Sequence, residues 1–168
     1  RTLAARVADC GGFAVDLAGG TGDVARLLAA AGCRVVVCDP SLAMMTAGRS
    51  RGNAGVTWLA GEAEKLPFAD ASVDLLAVAF GLRNATHLRA ALTEARRVLK
   101  PGGRFVCLEF SRPAKWLAPF YDLYSFLVIP RLGALVAQEP QAYQYLVESI
   151  RRFPDQREFA SLMGEAGF

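Results

Sequence analysis

The sequence predicts an α/β fold in which helices cover both faces of a doubly wound parallel sheet. Short apolar runs, several of them rich in valine, alternate along the chain with segments whose apolar residues recur at helical spacing. The runs are apolar at consecutive positions, which is typical of strands buried on both faces of a sheet. The chain has 168 residues, a length that suits one domain with a sizeable core. Strand–helix–strand units therefore explain the pattern better than an all-helical or all-β architecture.

The first part of the chain contains three strand candidates and two helix candidates. The strands are predicted at Phe13–Leu17, Cys33–Cys38 and Val56–Ala60, and the helices at Asp23–Ala31 and Ser41–Arg49. Gly32 is expected to end the first helix, because glycine readily adopts the left-handed conformation found after helix C-termini. Ser41 is expected to cap the second helix with its hydroxyl group.

Two more strands flank a longer helix in the middle of the chain. Val73–Ala79 is predicted as a strand that is apolar on both faces after Asp74. Apolar residues at helical spacing indicate a helix over Leu88–Leu99. The segment Lys100–Gly103 contains a proline and two glycines, so it is expected to break that helix before a fifth strand at Arg104–Glu109.

The pattern changes after the fifth strand. The stretch Trp116–Ala137 is aromatic and aliphatic and contains two prolines, which predicts a broken helical cap and not a sheet element. We therefore expect one domain over residues 1–168 with a helical insertion at 111–153. The segment Asp155–Glu158 matches a capping box and predicts a last helix over Gln156–Ala166. Because the chain starts without Met and stops where a sixth strand is due, we expect a domain truncated at both ends.

Composition and charge argue against several classes of protein. The 19 basic and 16 acidic residues are interspersed and give a net charge of +3, too mild a balance for a nucleic-acid-binding protein. His87 is the single histidine and the four cysteines lack ligand spacing, so we expect no metal site and no histidine-based triad. Cys33, Cys38 and Cys107 lie in apolar runs and are expected to be reduced core residues of an intracellular protein. No apolar stretch reaches the roughly 20 residues of a membrane span.

A glycine-rich turn between the first strand and the first helix is the most informative segment. Residues Asp16–Asp23 read DLAGGTGD, and such a turn lets a ligand approach the backbone closely. Asp39, at the end of the second strand, can accept hydrogen bonds from both hydroxyls of a ribose. Sites for dinucleotides and for S-adenosylmethionine share both features, and residues 20–25 also fit the dinucleotide pattern. A third interpretation is that the glycines only make a tight turn.

Two further features favour S-adenosylmethionine. Asp16 precedes the glycines, where its carboxylate would face the positive amino-acid end of that cofactor better than a pyrophosphate. The loop Gly61–Phe68 carries acids beside small residues, which suits an adenine edge better than a phosphate. An NAD-linked dehydrogenase is the weaker interpretation, because no Tyr/Lys or His catalytic pair follows at a suitable place.

Several motifs, taken together and in order, extend over nearly the whole chain. They are DLAGGTGDVA, VVVCDPSLAM, GEAEKLPFADASVDLLAVAFGLRN, RVLKPGG and LEFSRP, followed by YDLYSF, IPRLG and YQYLVESIRRFPDQ. The first five resemble the motifs of class I S-adenosylmethionine-dependent methyltransferases. FGLRN with LEFSRP and the later motifs narrows the resemblance to the C-methyltransferase family of ubiquinone and menaquinone biosynthesis. The resemblance implies a Rossmann-like sheet of order 3-2-1-4-5 with a helical cap, here without the terminal strands of the family's seven-stranded sheet.

The resemblance also implies which residues form the site. Those that match cofactor-binding positions are Asp16, Ala18, Gly20, Thr21, Gly22, Asp39, Glu62, Ala63 and Ala79. Asp39 matches the ribose-binding acid, and Arg83 and Asn84 match the catalytic arginine and asparagine. Two positions depart from the family pattern, since Glu62 stands where Asn or Asp is usual and Ala79 where Ser is frequent.

The implied reaction is transfer of a methyl group to a ring carbon of a polyprenylated quinol. Such a carbon needs electron density from a neighbouring phenolate, so Arg83 is expected to hold the phenolate or to orient a water that takes the proton. Direct action of Arg83 as a base is less favoured, because a guanidinium is hard to deprotonate.

The partners that the resemblance implies are the quinol, a membrane surface, and a second copy of the chain or a quinone-synthesis complex. The expected location is cytoplasmic, peripheral to the bacterial inner membrane, or on the matrix side in mitochondria. Two alternatives stay open. One is a methyltransferase of another lipophilic phenol or a sterol, and the other is a cofactor- or lipid-binding scaffold with little activity.

Overall fold

Five parallel strands form one sheet in the computed structural model, which describes residues 12–52, 55–111 and 140–168. The strands are β1 (Phe13–Leu17), β2 (Arg34–Asp39), β3 (Val56–Ala60), β4 (Val73–Ala79) and β5 (Leu99–Leu108). They lie in the order β3-β2-β1-β4-β5, and each neighbouring pair is parallel. The predicted doubly wound α/β fold and its strand order are therefore confirmed.

The helices of the described residues begin and end close to the predicted positions. They are α1 (Asp23–Ala30), α2 (Leu42–Ser50), α3 (Leu88–Val98), α4 (Pro140–Arg152) and α5 (Gln156–Glu165), with a short 3-10 helix at Leu82–Asn84. Ser41 caps α2 as predicted, since its Oγ accepts a hydrogen bond from the amide of Met44 at 3.3 Å. The capping box of α5 is also present, with reciprocal 2.9 Å hydrogen bonds between the amide of each residue, Asp155 and Glu158, and the carboxylate of the other.

The central strands β1 and β4 are buried on both faces, which explains their continuous apolar runs. Val15 pairs with Val36 on one side and Leu76 on the other, and Val15 and Leu76 have no exposed surface. The edge strand β3 is different, because Val56 is its single buried residue. Valine, leucine and alanine on both faces of the central strands thus supply the packed core that fixes the sheet.

The fifth strand begins earlier than the sequence predicts. The break of α3 is confirmed, because this helix ends at Val98, but Leu99 already pairs with Val73 of β4. The next aligned pair joins Leu75 to Arg104, so the intervening residues form an irregularity within the strand. Gly102 has φ 77°, a conformation that permits such a bulge. The expected start at Arg104 is therefore wrong.

The described residues fall into two compact units. One contains the five strands and residues 162–168, and the other contains residues 110–111 and 140–161. The predicted insertion at 111–153 falls within the range of the second unit, but its apolar part, Trp116–Ala137, lies outside the described residues and the cap stays a prediction. No described helix combines the length and the apolar character that crossing a membrane requires.

Candidate functional site

A cavity of about 740 Å³ opens beyond the carboxyl ends of β1 and β2, next to the segment that follows β4. In doubly wound sheets, ligands bind outside the carboxyl ends of the strands, where the strand order reverses. The reversal here lies between β1 and β4. The lining residues are Leu17, Ala18, Gly20, Asp39, Pro40, Ser41, Met44, Glu62, Ala63, Glu64, Phe80, Gly81, Asn84, Ala85, Thr86 and His87.

The glycine turn is shaped by the packing beneath it. Gly22 has φ 75°, and a Cβ atom at this position would lie 2.6 Å from Cη2 of Trp58. Gly20 also has a left-handed backbone, with φ 53°. Only glycine meets both demands at Gly22 without strain. The turn is therefore held close to the sheet, with Gly20 facing the cavity.

Asp39 joins the turn to the start of α2. Its Oδ2 atom accepts a 2.8 Å hydrogen bond from the amide of Gly20, and its Oδ1 atom accepts one of 2.7 Å from the amide of Ser41. The residue is only 6% exposed and still lines the cavity. Because a carboxylate oxygen has capacity for a second hydrogen bond, both oxygens can also receive hydroxyl groups of a ligand.

Asp16 lies beneath the turn and does not line the cavity. The residue is 1% exposed, and its Oδ2 atom accepts a 2.9 Å hydrogen bond from the amide of Ala25 in α1. Burial raises the pKa of Asp16 to about 7, and the nearby Asp39 adds to this effect. The carboxylate of Asp16 therefore lies between β1 and α1, and not at the cavity where a cofactor contact was expected.

The loop after β3 brings carboxylates to the opposite wall. Glu62, Ala63 and Glu64 line the cavity, and the amide of Lys65 donates to the carbonyl of Glu62 at 3.2 Å. Oε1 of Glu64 accepts a 3.0 Å hydrogen bond from the amide of His87 at the start of α3. Glu64 thereby links this loop to the segment that follows β4.

The segment after β4 has a strained backbone where it enters the cavity wall. Phe80 has φ 58°, an unusual value for a bulky residue, and this residue lines the cavity and is 41% exposed. The amide of Phe80 donates to the carbonyl of Leu108 at 2.8 Å, which holds the segment on β5. A Cβ atom at Gly81 would lie 2.4 Å from that of Ala18, so the segment also packs closely on the glycine turn.

Arg83 is held by a buried glutamate at the end of β5. Nη1 of Arg83 donates to Oε1 of Glu109 at 3.0 Å and also to the carbonyl of Phe80, while the amide of Arg83 donates to Oε2 of Glu109 at 3.1 Å. The side chains are 12% and 4% exposed, respectively. Asn84 lines the cavity but Arg83 does not. Glu109 was not predicted as a site residue, although the motif LEFSRP contains it.

The structure brings together about half of the predicted site. Six predicted residues line the cavity, namely Ala18, Gly20, Asp39, Glu62, Ala63 and Asn84. Five do not, namely Asp16, Thr21, Gly22, Ala79 and Arg83. Among the lining residues that were not predicted, Glu64 and Phe80 directly follow predicted positions, and this proximity is the signal that could have found them. Met44 lies five positions after Asp39, in the motif VVVCDPSLAM.

The charge of the lining favours a cationic ligand. Three carboxylates reach the cavity, from Asp39, Glu62 and Glu64, and none of the described lining residues is lysine or arginine. These acidic residues would attract a positively charged group and repel a pyrophosphate.

Dinucleotide-binding folds share the strand order, the glycine turn and the acid at the end of β2, but together with the acidic lining these features are typical of class I S-adenosylmethionine-dependent methyltransferases. Among solved structures, such a methyltransferase from Thermotoga maritima aligns with 92% of this chain and 63% of its own, at a TM-score of 0.65 and 27% identity. Phosphoethanolamine N-methyltransferase 2 of Haemonchus contortus, solved with S-adenosyl-L-methionine, aligns with 94% of this chain and 33% of its own, at a TM-score of 0.70. At 18% identity the second likeness shows the fold alone.

Within that class, the chain belongs to the ubiE/COQ5 methyltransferase family, whose sequence profile matches residues 2–168. It is 67% identical over 154 residues to the ubiquinone/menaquinone biosynthesis C-methyltransferase UbiE of Rubrivivax gelatinosus, covering 92% of this chain and 61% of that protein. It is 53% identical over 143 residues to the human mitochondrial 2-methoxy-6-polyprenyl-1,4-benzoquinol methylase, covering 82% of this chain and 44% of that protein. The chain thus spans less than two thirds of the length of these relatives.

Proposed function

We propose that the chain binds S-adenosylmethionine in this cavity and methylates a ring carbon of a polyprenylated quinol in ubiquinone or menaquinone biosynthesis. The observation that carries the proposal is the lining, in which three acidic residues stand beside a glycine turn and none of the described lining residues is lysine or arginine. This set suits a cofactor that carries a sulfonium and an ammonium group, and it suits the pyrophosphate of NAD poorly. The cavity volume lies within the usual range for small-molecule sites.

The residues present fit the cofactor at three places. The free hydrogen-bonding capacity of the Asp39 carboxylate would hold the two ribose hydroxyls. Glu62 and Ala63 would hold the adenine, and the turn at Ala18 and Gly20 would contact the methionine part. Asp16, Thr21, Gly22 and Ala79 would act from behind these walls, by shaping the turn and the strand ends.

The acceptor would lie on the side of Asn84 and Phe80, which both reach the cavity. When bound, S-adenosylmethionine supplies a methyl group on a positively charged sulfur atom. The Phe80 ring would offer an apolar wall to the quinol ring, and the Asn84 amide would hydrogen-bond one of its hydroxyls. Alignment of the reacting atoms in a cavity with little water lowers the barrier to such a transfer.

Arg83 would act next to Asn84 in the ionisation of the quinol. Its guanidinium lies 3.0 Å from the buried carboxylate of Glu109, so the pair brings little net charge to the cavity. Because Arg83 is not among the described residues that line the cavity, we favour a role in which Arg83, oriented by Glu109, donates a hydrogen bond to a water that takes the proton of the quinol, over a direct hydrogen bond to the phenolate. This role needs a fixed direction of the N–H groups more than a free positive charge.

The proposal extends to partners and location. The names of the relatives from Rubrivivax gelatinosus and human refer to quinones and to a polyprenyl benzoquinol, and substrates of that kind reside in membranes. The protein would therefore work at a membrane surface, at the inner face of a bacterial membrane or the matrix side of a mitochondrion. The protein would act as a homodimer or as part of a quinone-synthesis complex.

The test is incubation of the protein with methyl-labelled S-adenosylmethionine and reduced benzoquinone or naphthoquinone precursors, and in parallel with another lipophilic phenol and with a sterol, followed by location of the label. Label on a ring carbon is expected. Label on another phenol or on a sterol would assign a different substrate class. Cofactor binding with no turnover on any quinol would favour the alternative of a binding scaffold with little activity.

A further inference from the structure

Arg97, near the end of α3, uses its whole guanidinium to hold the loop between β3 and β4 (residues 61–72). Nε and Nη2 donate to the two carboxylate oxygens of Glu94 at 2.7 Å each. Nη1 donates to the carbonyl of Phe68 at 2.9 Å and to Oδ1 of Asp70 at 2.7 Å. Nη2 also donates to the carbonyl of Leu66 at 3.0 Å. A guanidinium has five N–H groups, and here each of them has an acceptor.

Glu94 also binds the loop directly. Its Oε2 atom accepts a 2.8 Å hydrogen bond from the amide of Leu66, so Glu94 and Arg97 together hold both backbone polar groups of this residue. Leu66 is 3% exposed and anchors the loop in the core. The carbonyl of Arg97 adds a 2.9 Å hydrogen bond from the amide of Ala71. Hydrogen bonding to Arg97 lowers the pKa of Glu94, which keeps the pair ionised.

The other end of the same loop forms a wall of the cavity. Glu62, Ala63 and Glu64 line the cavity, only two to four positions before Leu66. The amide of Gly61 donates to the carbonyl of Asp39 at 3.3 Å, which ties the start of the loop to β2. The loop is therefore fixed at its start by the sheet and at its end by α3, with the cavity-lining residues between the two anchors.

We propose that Arg97, with Glu94, is a positioning residue that holds Glu62 and Ala63 where they receive the adenine of the cofactor. The inference rests on the proposed function. Arg97 is not among the described residues that line the cavity, so it acts through the loop. An exposed ion pair alone would contribute little, but bonds to two loop carbonyls and two carboxylates fix the path of the backbone. A loop that samples other arrangements would weaken binding in proportion to the competent fraction that is lost.

The test compares Arg97→Lys with a control on the same helix, Arg89→Ala. Arg89 pairs with Glu165, away from the loop, so its removal also deletes one arginine and one ion pair. Calorimetry would measure the Kd of two probes, S-adenosylhomocysteine and S-inosylhomocysteine, which carries oxygen in place of the adenine amino group. If the loop keeps its arrangement a tenth of the time, Arg97→Lys raises the Kd of S-adenosylhomocysteine about tenfold. The Kd of S-inosylhomocysteine should rise less, because a probe without the adenine amino group depends less on the ordered loop. The preference for the adenine probe therefore falls in Arg97→Lys, whereas Arg89→Ala leaves both quantities unchanged.

The loss of base preference distinguishes a positioning role of Arg97 from a merely structural one. If Arg97 only stabilised the fold, its substitution would lower the urea midpoint of unfolding, and the folded fraction would keep the parent's preference for the adenine probe. Glu94→Gln serves as a second variant, since it keeps the side-chain volume and an acceptor for Leu66. It is expected to shift the Kd and the preference in the same direction but less. Folded variants with the parent's Kd and preference would overturn the inference alone, and a parent that binds no S-adenosylhomocysteine would overturn the proposed function together with it.

Discussion

The amide of Gly20 donates a 2.8 Å hydrogen bond to Oδ2 of Asp39, across 19 positions of the chain. This bond joins the glycine turn after β1 to the end of β2. The other carboxylate oxygen of Asp39 is bonded to the amide of Ser41, at the start of α2. The acid proposed to hold the ribose thus also organises two neighbouring walls of the cavity before any ligand arrives. A substitution at Asp39 should therefore affect both ligand binding and the arrangement of these two walls.

Replacing Asp39 by alanine is expected to weaken S-adenosylmethionine binding by about 2–3 kcal/mol, because charge-assisted hydrogen bonds are lost. Asp39→Asn keeps the shape and one acceptor oxygen, so its loss should be smaller. Asp74→Ala is the matched control, since that side chain pairs with Lys100 at the start of β4, at the opposite edge of the sheet from the cavity, and does not line the cavity. Titration calorimetry gives the three affinities. Tight binding of NAD, with none of S-adenosylmethionine, would contradict the assignment of the site.

The glycine turn allows packing and backbone strain to be measured separately. Gly22 and Gly32 both have a left-handed backbone, with φ 75° and 87°. An added Cβ meets Trp58 at 2.6 Å in the first case and nothing within 4 Å in the second. Gly32→Ala should therefore cost only the left-handed strain, about 1–2 kcal/mol, and Gly22→Ala about 1–3 kcal/mol more from overpacking. Urea unfolding measures both losses, and equal losses would mean that Trp58 moves aside.

The central part of the fold was predictable because burial on both faces leaves a direct trace in the sequence. The residue runs of β1 and β4 contain no break in apolar character apart from Asp16 and Asp74. The start of β5 was not predictable in this way. Proline and two glycines usually end regular structure, and only the pairing of Leu99 with Val73 shows that they form a bulge inside a strand.

The site residues were predictable where a backbone turn or a single acid at a strand end forms the site. They were less predictable where tertiary packing determines which way a side chain points. Asp39 and Gly20 face the cavity as expected, because their places at strand ends fix their direction. Asp16 was expected to do the same, but the first turn of α1 covers its carboxylate. Glu109, which orients Arg83, and the loop groups that Arg97 holds lie 26 to 31 positions away along the chain, a distance at which no local spacing reveals a contact.

The buried carboxyl of Asp16 predicts a dependence of stability on pH. Its pKa is raised from 3.8 to about 7 in the folded protein, mainly by burial. Between about pH 4 and pH 7 the native state therefore binds more protons at this residue than the unfolded state, so its contribution to stability falls as the pH rises. The free energy of unfolding of the parent, relative to that of Asp16→Asn, should fall by at most about 1.4 kcal/mol per pH unit in this range. Above pH 7 the difference should be level.

Urea unfolding of both proteins at several pH values measures this difference directly. The comparison with Asp16→Asn is needed because Glu94 and Asp74 have lowered pKa values, and such groups make stability rise with pH at the acidic end. A constant difference between parent and variant from pH 4 to pH 7 would show that Asp16 is ionised over the whole range.

The ion pair of Arg83 and Glu109 separates an enzyme from a scaffold. If Arg83 stabilises the phenolate or the water beside it, Arg83→Ala should lower kcat by roughly 10²–10³ while S-adenosylmethionine affinity stays the same. Arg83→Lys restores the charge without the planar fork and should recover only part of the rate. The activity of Arg83→Ala should also increase as the pH approaches the pKa of the free phenol, which is near 10 for an unperturbed group.

Glu109→Gln tests whether the direction of the guanidinium matters. Glutamine can accept one of the two hydrogen bonds from Arg83 but carries no charge, so Arg83 should lose its fixed orientation. We expect a fall in kcat that is not additive with that of Arg83→Ala, since the two residues act as one unit. Arg51→Ala, which removes an exposed ion pair with Asp23, is the control and should leave kcat unchanged.

Unchanged turnover in folded Arg83→Ala would remove Arg83 from the mechanism. Fully additive effects of Arg83→Ala and Glu109→Gln would show that Glu109 acts independently of Arg83.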